Sequence, residues 1–245
     1  MESDKLNHLP SKSREAALGF AEKLQKTFDK NLSSVILFGS ASGAEFMEGK
    51  SDINILITLE KSCAADLNKI IDIAKEFIKK GLAIPLVFEK GHIASSLDTF
   101  PIEFSDMRQR HVLLYGADPL EQAQIETRNL RYQCERELKS IVVNLRRGYL
   151  QAGGKKENIR SLLEGSLSSV LAACRGMLYL AGKTPSDSAV TLIDEVEAQF
   201  NIKTDTIERV WQLKKAKDGG KTDLEALFDS YVREIADLAT AVDKM

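Results

Sequence analysis

The sequence predicts an α+β protein in two parts, a small mixed sheet with flanking helices followed by an all-α antiparallel helical bundle. Three observations predict it. Short apolar runs alternate with helix-period stretches over roughly the first half of the chain. Beyond that half the periodicity is purely helical. Short Gly- and Pro-containing breaks then separate one helical stretch from the next, as expected of a bundle.

The first element is SREAALGFAEKLQKTF, where Ala16, Leu18, Phe20, Ala21, Leu24 and Phe28 recur at close to helical spacing and Ser13 has the chemistry of an N-cap. Val35 to Phe38 and Ile53 to Thr58 are mostly β-branched or aromatic and lack polar alternation, as expected of strands covered on both faces. Ala64 to Lys80 reads as the helix that returns the chain to a third strand, Ile84 to Phe88. His92 to Gly116 has room for one further short strand and a helix. ADPL, residues 117–120, combines a proline with a helix-start Asp and is the expected boundary, giving units of 1–118 and 119–245.

In the second unit Leu130, Cys134, Leu138, Ile141, Val142, Leu145 and Tyr149 form one apolar stripe, and two glycines in QAGGKK end it. A second stripe runs from Ile159 to Leu178 and stops near Gly182 and Pro185. Shorter helices are expected at Ala189 to Phe200 and Thr206 to Lys214, with a break at DGGK, residues 218–221. The last helix spans Asp223 to Lys244.

The bulk composition narrows the function. With 43% hydrophobic and 29% charged residues the chain is an ordinary globular protein. Thirty-four basic against thirty-six acidic residues give a net charge of -2, which offers no global attraction to nucleic acid or to an anionic membrane. Cys63, Cys134 and Cys174 are odd in number and lack CxxC spacing, so they read as reduced core thiols. No apolar run reaches a membrane-spanning length, and the expected location is cytoplasmic.

The chemistry concentrates in VILFGSASGAEFMEGKSDINILITL, Val35 to Leu59. Gly39 lets a backbone approach a phosphate without a Cβ, and Ser40 adds a hydroxyl and an amide. Asp52 opens the next strand, and the two-residue pleat gives Asp52 and Asn54 a common face. Two oxygen-bearing side chains there suit Mg²⁺ held against a triphosphate.

This arrangement resembles the signature of the polymerase β type nucleotidyltransferase superfamily: Gly-Ser, a gap of about this length, then Asp-x-Asp or Asp-x-Glu at a strand start. Small nucleotidyltransferases of the kanamycin-resistance and minimal types also follow such a core with a helical bundle. The resemblance implies that Gly39 and Ser40 hold the phosphates of a nucleoside triphosphate and that Asp52 and Asn54 bind Mg²⁺. It also implies transfer of a nucleoside monophosphate to a hydroxyl of a small-molecule or protein acceptor, with a homo-oligomer left open.

The chain departs from that pattern twice. Asn54 stands where an acid is expected and brings no negative charge, and the strand Ile84 to Phe88 holds no third acid. Glu89, Glu103 and Asp106 are the nearby substitutes. Glu103 is preferred as the catalytic third acid because Ile102 and Phe104 flank it in a strand-like alternation. These departures keep a second reading open, a catalytically degenerate module that binds a nucleotide or a partner protein. His111 is a possible base or nucleotide contact, with a structural role as the simpler reading. No histidine follows it, which excludes the Arg-and-His ribonuclease chemistry of the HEPN bundles that accompany minimal nucleotidyltransferases.

Overall fold

The structure is a computed structural model that describes residues 6–43, 46–49, 51–215 and 222–245. The expected DGGK break falls outside the described residues. The chain divides into two compact units, Met1–Phe100 with Phe104–Ile125, and Pro101–Glu103 with Glu126–Met245.

In the first unit four strands pair in the order β3-β2-β1-β4, with β1 Leu32–Phe38, β2 Asn54–Leu59, β3 Leu86–Glu89 and β4 His111–Gly116. β1 runs antiparallel to β2 and to β4, and β3 runs parallel to β2, so the sheet is mixed as expected. The absence of polar alternation in β1 and β2 has the expected cause, because both faces are covered. Val35, Leu37, Ile53, Ile55, Ile57 and Leu59 pack in one core with Ala16, Phe20 and Leu24 of α1 (Ser11–Phe28) and with Ile70, Ala74 and Phe77 of α2 (Ala64–Ile78). Ile36 and Leu56 point the other way. They pack with Ile93 of α3 (Lys90–Ser96), with Phe104 and Met107 of α4 (Pro101–Gln109), and with Leu120.

Three expectations are corrected here. Ser13 is not the cap of α1: the helix starts two residues earlier behind Pro10, and Ser13 is buried inside it. The stretch around Glu103 is a helix and not a strand, because Pro101 is tolerated in a first helical turn and Ile102, Phe104 and Met107 bury along it. The chain stays with the first unit through Ile125 rather than leaving it at 118. Leu120 is fully buried in the second core cluster, and the Ala123 carbonyl accepts a hydrogen bond from Arg108 at 2.9 Å. At the far end of the sheet Gly116 adopts a φ of 83°, and a Cβ there would lie 1.9 Å from the Ser33 carbonyl oxygen, so only glycine fits.

The second unit is helical, with α5 Thr127–Ala152, α6 Lys156–Leu180, α7 Ala189–Phe200, α8 Asp205–Lys215 and α9 Leu224–Asp243. The predicted stripes are its core: Leu130, Leu138 and Leu145 from α5, Leu163, Leu167 and Val170 from α6, and Tyr231, Ile235 and Leu238 from α9. Gly153, at a φ of 59°, ends α5 in the left-handed conformation that favours glycine. Gly176 lets α5 approach α6, since a Cβ there would meet Cys134 Sγ at 2.5 Å. α9 begins at Asp223, whose carboxylate accepts from the N–H groups of Glu225 and Ala226. The start of α8 is capped from a distance by the α9 residue Glu234, which accepts hydrogen bonds from the backbone N–H groups of Thr206 and Ile207 at 3.0 to 3.1 Å. Among the described residues no helix is long and apolar enough to cross a membrane.

The thiols divide. Cys134 and Cys174 are buried as expected, and burial pushes both up to about 12. Cys63 is exposed, which corrects its assignment to the core: it precedes α2 with its sulfur 3.1 Å from the Asp66 carboxylate. A thiol-reactive dye at about pH 8 should therefore titrate Cys63 in the folded protein and all three cysteines only in denaturant.

Half-burial raises the Glu234 carboxyl above the ordinary carboxylate range, despite the N–H groups it accepts from. The folded state thus holds this proton more tightly than the unfolded chain does. Its contribution to stability is complete below the unfolded value and is lost as the pH rises through the raised folded one. Glu234→Gln should remove that part of the pH dependence in urea melts between about pH 4 and 7, whereas Glu234→Ala should cost about 1 kcal/mol through the lost cap.

Candidate functional site

β1 ends at Phe38 and the chain turns at once into a short 3-10 segment, Gly39–Ser42. Gly39 adopts a φ of 72°, a left-handed conformation that an L side chain resists. Its N–H donates to the Arg110 carbonyl at 3.2 Å, and its own carbonyl accepts from the Ser42 hydroxyl at 2.7 Å. A ring nitrogen of His8 lies 3.0 Å from the carbonyl oxygen of the buried Ala41. The Gly-Ser turn is therefore held from both sides while Gly39 and Ser40 stay partly exposed.

Phe38 pairs with Asn54 on one flank and with His111 on the other. Directly opposed residues of a sheet share a face, so Asn54, Phe38 and His111 form one row across the end of the sheet. A Cβ built on Gly39 would lie 3.4 Å from Asn54 Nδ2, which puts the two expected site residues in contact range. Asp52 precedes the strand and is exposed. The intervening Ile53 is fixed in extended pairing, its N–H to the Gly81 carbonyl at 2.8 Å and its carbonyl to the Ala83 N–H at 3.0 Å. Among the described residues the Asp52 carboxylate has no hydrogen bond or ion pair.

The parallel pairing of β2 with β3 locates the place of a third acid. Ile53 bridges Leu82 and Leu56 pairs with Leu86, so the residues that stand beside Asn54 and Ile55 are Ala83, Ile84 and Pro85. None is acidic, and Ile84 is 84% exposed. Glu89 pairs with Leu59 at the other end of β2. Five residues of strand put it about 16 Å from the level of Asn54. There Glu89 accepts from the N–H and hydroxyl of Ser62, which hold its carboxyl below the ordinary range.

Glu103 lies in the first turn of α4 and belongs to the second unit, where its carboxylate accepts from the Gln133 amide at 2.7 Å. The same buried Gln133 accepts the Ile102 N–H at 2.8 Å, so Glu103 and Gln133 together fasten the start of α4 to α5. Asp106 is engaged by Arg110, with 3.7 Å between charged atoms.

Sequence reasoning did not foresee where His111 would lie. It sits in the Asn54 row, with Nε2 2.8 Å from an Asp118 carboxylate oxygen and Nδ1 3.2 Å from the Arg108 carbonyl. Both ring nitrogens are thus occupied within the protein, which makes His111 a latch between β4 and the segment after it. The seven-residue spacing from His111 to Asp118 carries no signal that would have revealed the pair.

Asp52 and Asn54 offer one carboxylate and one amide. Among the described residues no group of three His, Cys, Asp or Glu side chains is placed to hold a metal ion. The donor set fits a single Mg²⁺ that shares its remaining positions with phosphate oxygens, since Mg²⁺ takes octahedral oxygen ligands.

No family model and no curated protein sequence matches this chain. Among solved structures it is similar to the spectinomycin adenyltransferase of Enterococcus faecialis, whose crystal structure was determined with ATP and spectinomycin. The identity is 13%, the TM-score is 0.54, and the match covers 90% of this chain and 98% of that one. At this identity the likeness concerns the fold, and it extends over both units. The fold expected from the sequence, a small mixed sheet with flanking helices followed by a helical unit, is the fold observed, and it is shared with that adenyltransferase.

Proposed function

We propose that the protein is a nucleotidyltransferase that transfers a nucleoside monophosphate from a nucleoside triphosphate to a hydroxyl of a small-molecule or protein acceptor. The observation that carries this reading is the left-handed Gly39 turn set against Asn54 by the Phe38 pairing, with the exposed Asp52 carboxylate two residues away. The adenyltransferase of the same fold was solved with ATP, which supports a triphosphate as the ligand.

In this reading the Gly39 turn and Ser40 receive the phosphates, and Asp52 with the Asn54 oxygen holds Mg²⁺ that arrives with the nucleotide. The ion, when bound, neutralises charge on the phosphates. The Nδ2 side of Asn54 faces Gly39, so the amide also offers a hydrogen bond to a phosphate oxygen, which an aspartate there would repel. The acceptor oxygen bonds to the α-phosphorus, the bond to the bridging oxygen breaks, pyrophosphate leaves, and the acceptor proton passes to solvent or to a carboxylate. The proposed setting is cytoplasmic.

The residues beside Asn54 favour one alternative, a degenerate module of the same fold. Ala83, Ile84 and Pro85 bring no charge to the level where a third acid would act.

Thermal-shift titration of the four nucleoside triphosphates with and without Mg²⁺, paired with a pyrophosphate-release assay over a panel of hydroxyl acceptors, separates the two readings. The enzyme reading expects a Mg²⁺-dependent shift, pyrophosphate release with an acceptor, and loss of both in Asp52→Ala. A shift that survives chelation without release favours the binding module. No shift with any nucleotide overturns both. Gly39→Ala should weaken triphosphate binding about fivefold, because holding an L side chain in this left-handed conformation costs about 1 kcal/mol relative to a relaxed turn.

A further inference from the structure

The free edge of the sheet in the first unit carries uncovered apolar surface. β3 stands at one end of the strand order with β2 as its strand neighbour, so the outward N–H and carbonyl groups of Leu86–Glu89 have no strand to meet among the described residues. The chain enters β3 through Pro85, which has no N–H for a ladder and suits an edge. Edge strands of natural sheets are ordinarily guarded by charge, yet Ile84 and Leu86 are 84% and 42% exposed here.

α2 continues this surface on the other face of the sheet. Leu86 pairs with Leu56 and shares its face, whereas α2 covers the face of Ile55 and Ile57. Along α2, Leu67, Ile71 and Ile78 fall on one stripe, each 44% to 51% exposed. The stripe is turned away from α1, which holds the opposite flank of α2 through the Lys23–Glu76 ion pair and the edge-on contact of Phe20 with Phe77 at 5.5 Å. α1 packs on β1 and β4, so the free flank of α2 lies on the β3 side.

An extended segment of another protein would meet the backbone edge and leave the α2 stripe in water. A second copy of this chain covers both. Neighbouring strands lie about 4.8 Å apart, so a two-fold axis that pairs β3 antiparallel with its copy passes about 2.4 Å beyond β3. α2 joins β2 to β3 and, centred over that pair, stands about 5 Å from the axis, which brings it about 10 Å from the α2 of the second copy, the distance at which helices pack. The charge beside the stripe agrees. Asp72 and Lys75 pair at 2.8 Å, so this rim carries both signs, selects neither an acidic nor a basic partner, and meets a reversed copy of itself without net repulsion. We infer that two copies of this chain associate through β3 and the outer flank of α2, joining their four-stranded sheets edge to edge.

Sedimentation velocity of the full chain over a micromolar concentration series tests this with wild type, Ile71→Lys, Leu86→Lys and, as a control on the second unit, Val143→Lys, which replaces an exposed valine of α5. Wild type and Val143→Lys should sediment as reversible dimers. Ile71→Lys and Leu86→Lys should each raise the dimer dissociation constant about a hundredfold, because a charge placed at a two-fold contact counts twice. Circular dichroism checks that each variant folds, and Leu67→Lys takes the place of one that does not. Amide hydrogen exchange of wild type should slow within Leu86–Glu89 as the concentration rises into the dimer range, a change that packing of α2 alone would not produce. Wild type that stays monomeric overturns the inference in favour of an occupant from another protein or none. So does a dimer that either folded variant leaves intact, one that Val143→Lys dissolves equally, or one without the exchange protection at β3.

Discussion

Strand β1 has a neighbour on every side. It pairs with β2 and β4 along its edges, and its two faces are sealed by different cores, Val35 and Leu37 against α1 and α2, Ile36 against Phe104, Met107 and Leu120. Its backbone groups have no water to fall back on, so strand pairing and the two cores together set its register. Everything at the candidate site is measured from its last residue. Phe38 fixes the level of Asn54 and of His111, and the turn that follows fixes Gly39. A slip of one residue would exchange the two cores and carry Asn54 to the opposite face.

That constraint explains why part of the molecule was readable from its sequence. Apolar runs without alternation announced strands with two covered faces, and the stripes of α5, α6 and α9 announced their own core. Gly39, Ser40 and Asp52 stand out in the sequence because each residue type has a narrow chemical use at that spacing. The strand reading around Glu103 misled because Ile-Glu-Phe alternates over three residues, too short a window to separate a strand from a helix turn, and Pro101 was the better signal. Ser13 misled in a similar way. A serine near a helix start has the chemistry of a cap, and only the geometry of Pro10 shows that the helix begins before it.

What stayed hidden was register. Which residue stands beside Asn54 on β3 depends on the length of the crossover through α2 and on the irregularity between Leu82 and Leu86. Sequence spacing could not tell Glu89 at the wrong end of the strand from Ile84 at the right one. His111 and Asp118 are close because β4 ends in a turn, a fact of the backbone and not of either residue. The candidate site is thus a chemical motif that the sequence displays and a coordinate frame that only the pairing of strands provides.

Gly116 bears on how such a protein can change. With no room for even a methyl group beside Ser33, the exit from β4 is pressed onto the entrance to β1, and the Glu60 N–H is tied at the same end to the Asn31 carbonyl at 2.9 Å. That end of the sheet is closed to variation in loop length. The opposite end is where residues 39–52 join β1 to β2, and a longer or shorter connection there leaves the strand pairing untouched. The connection that can vary in length without disturbing β1 is the one at which Gly39, Ser40 and Asp52 stand.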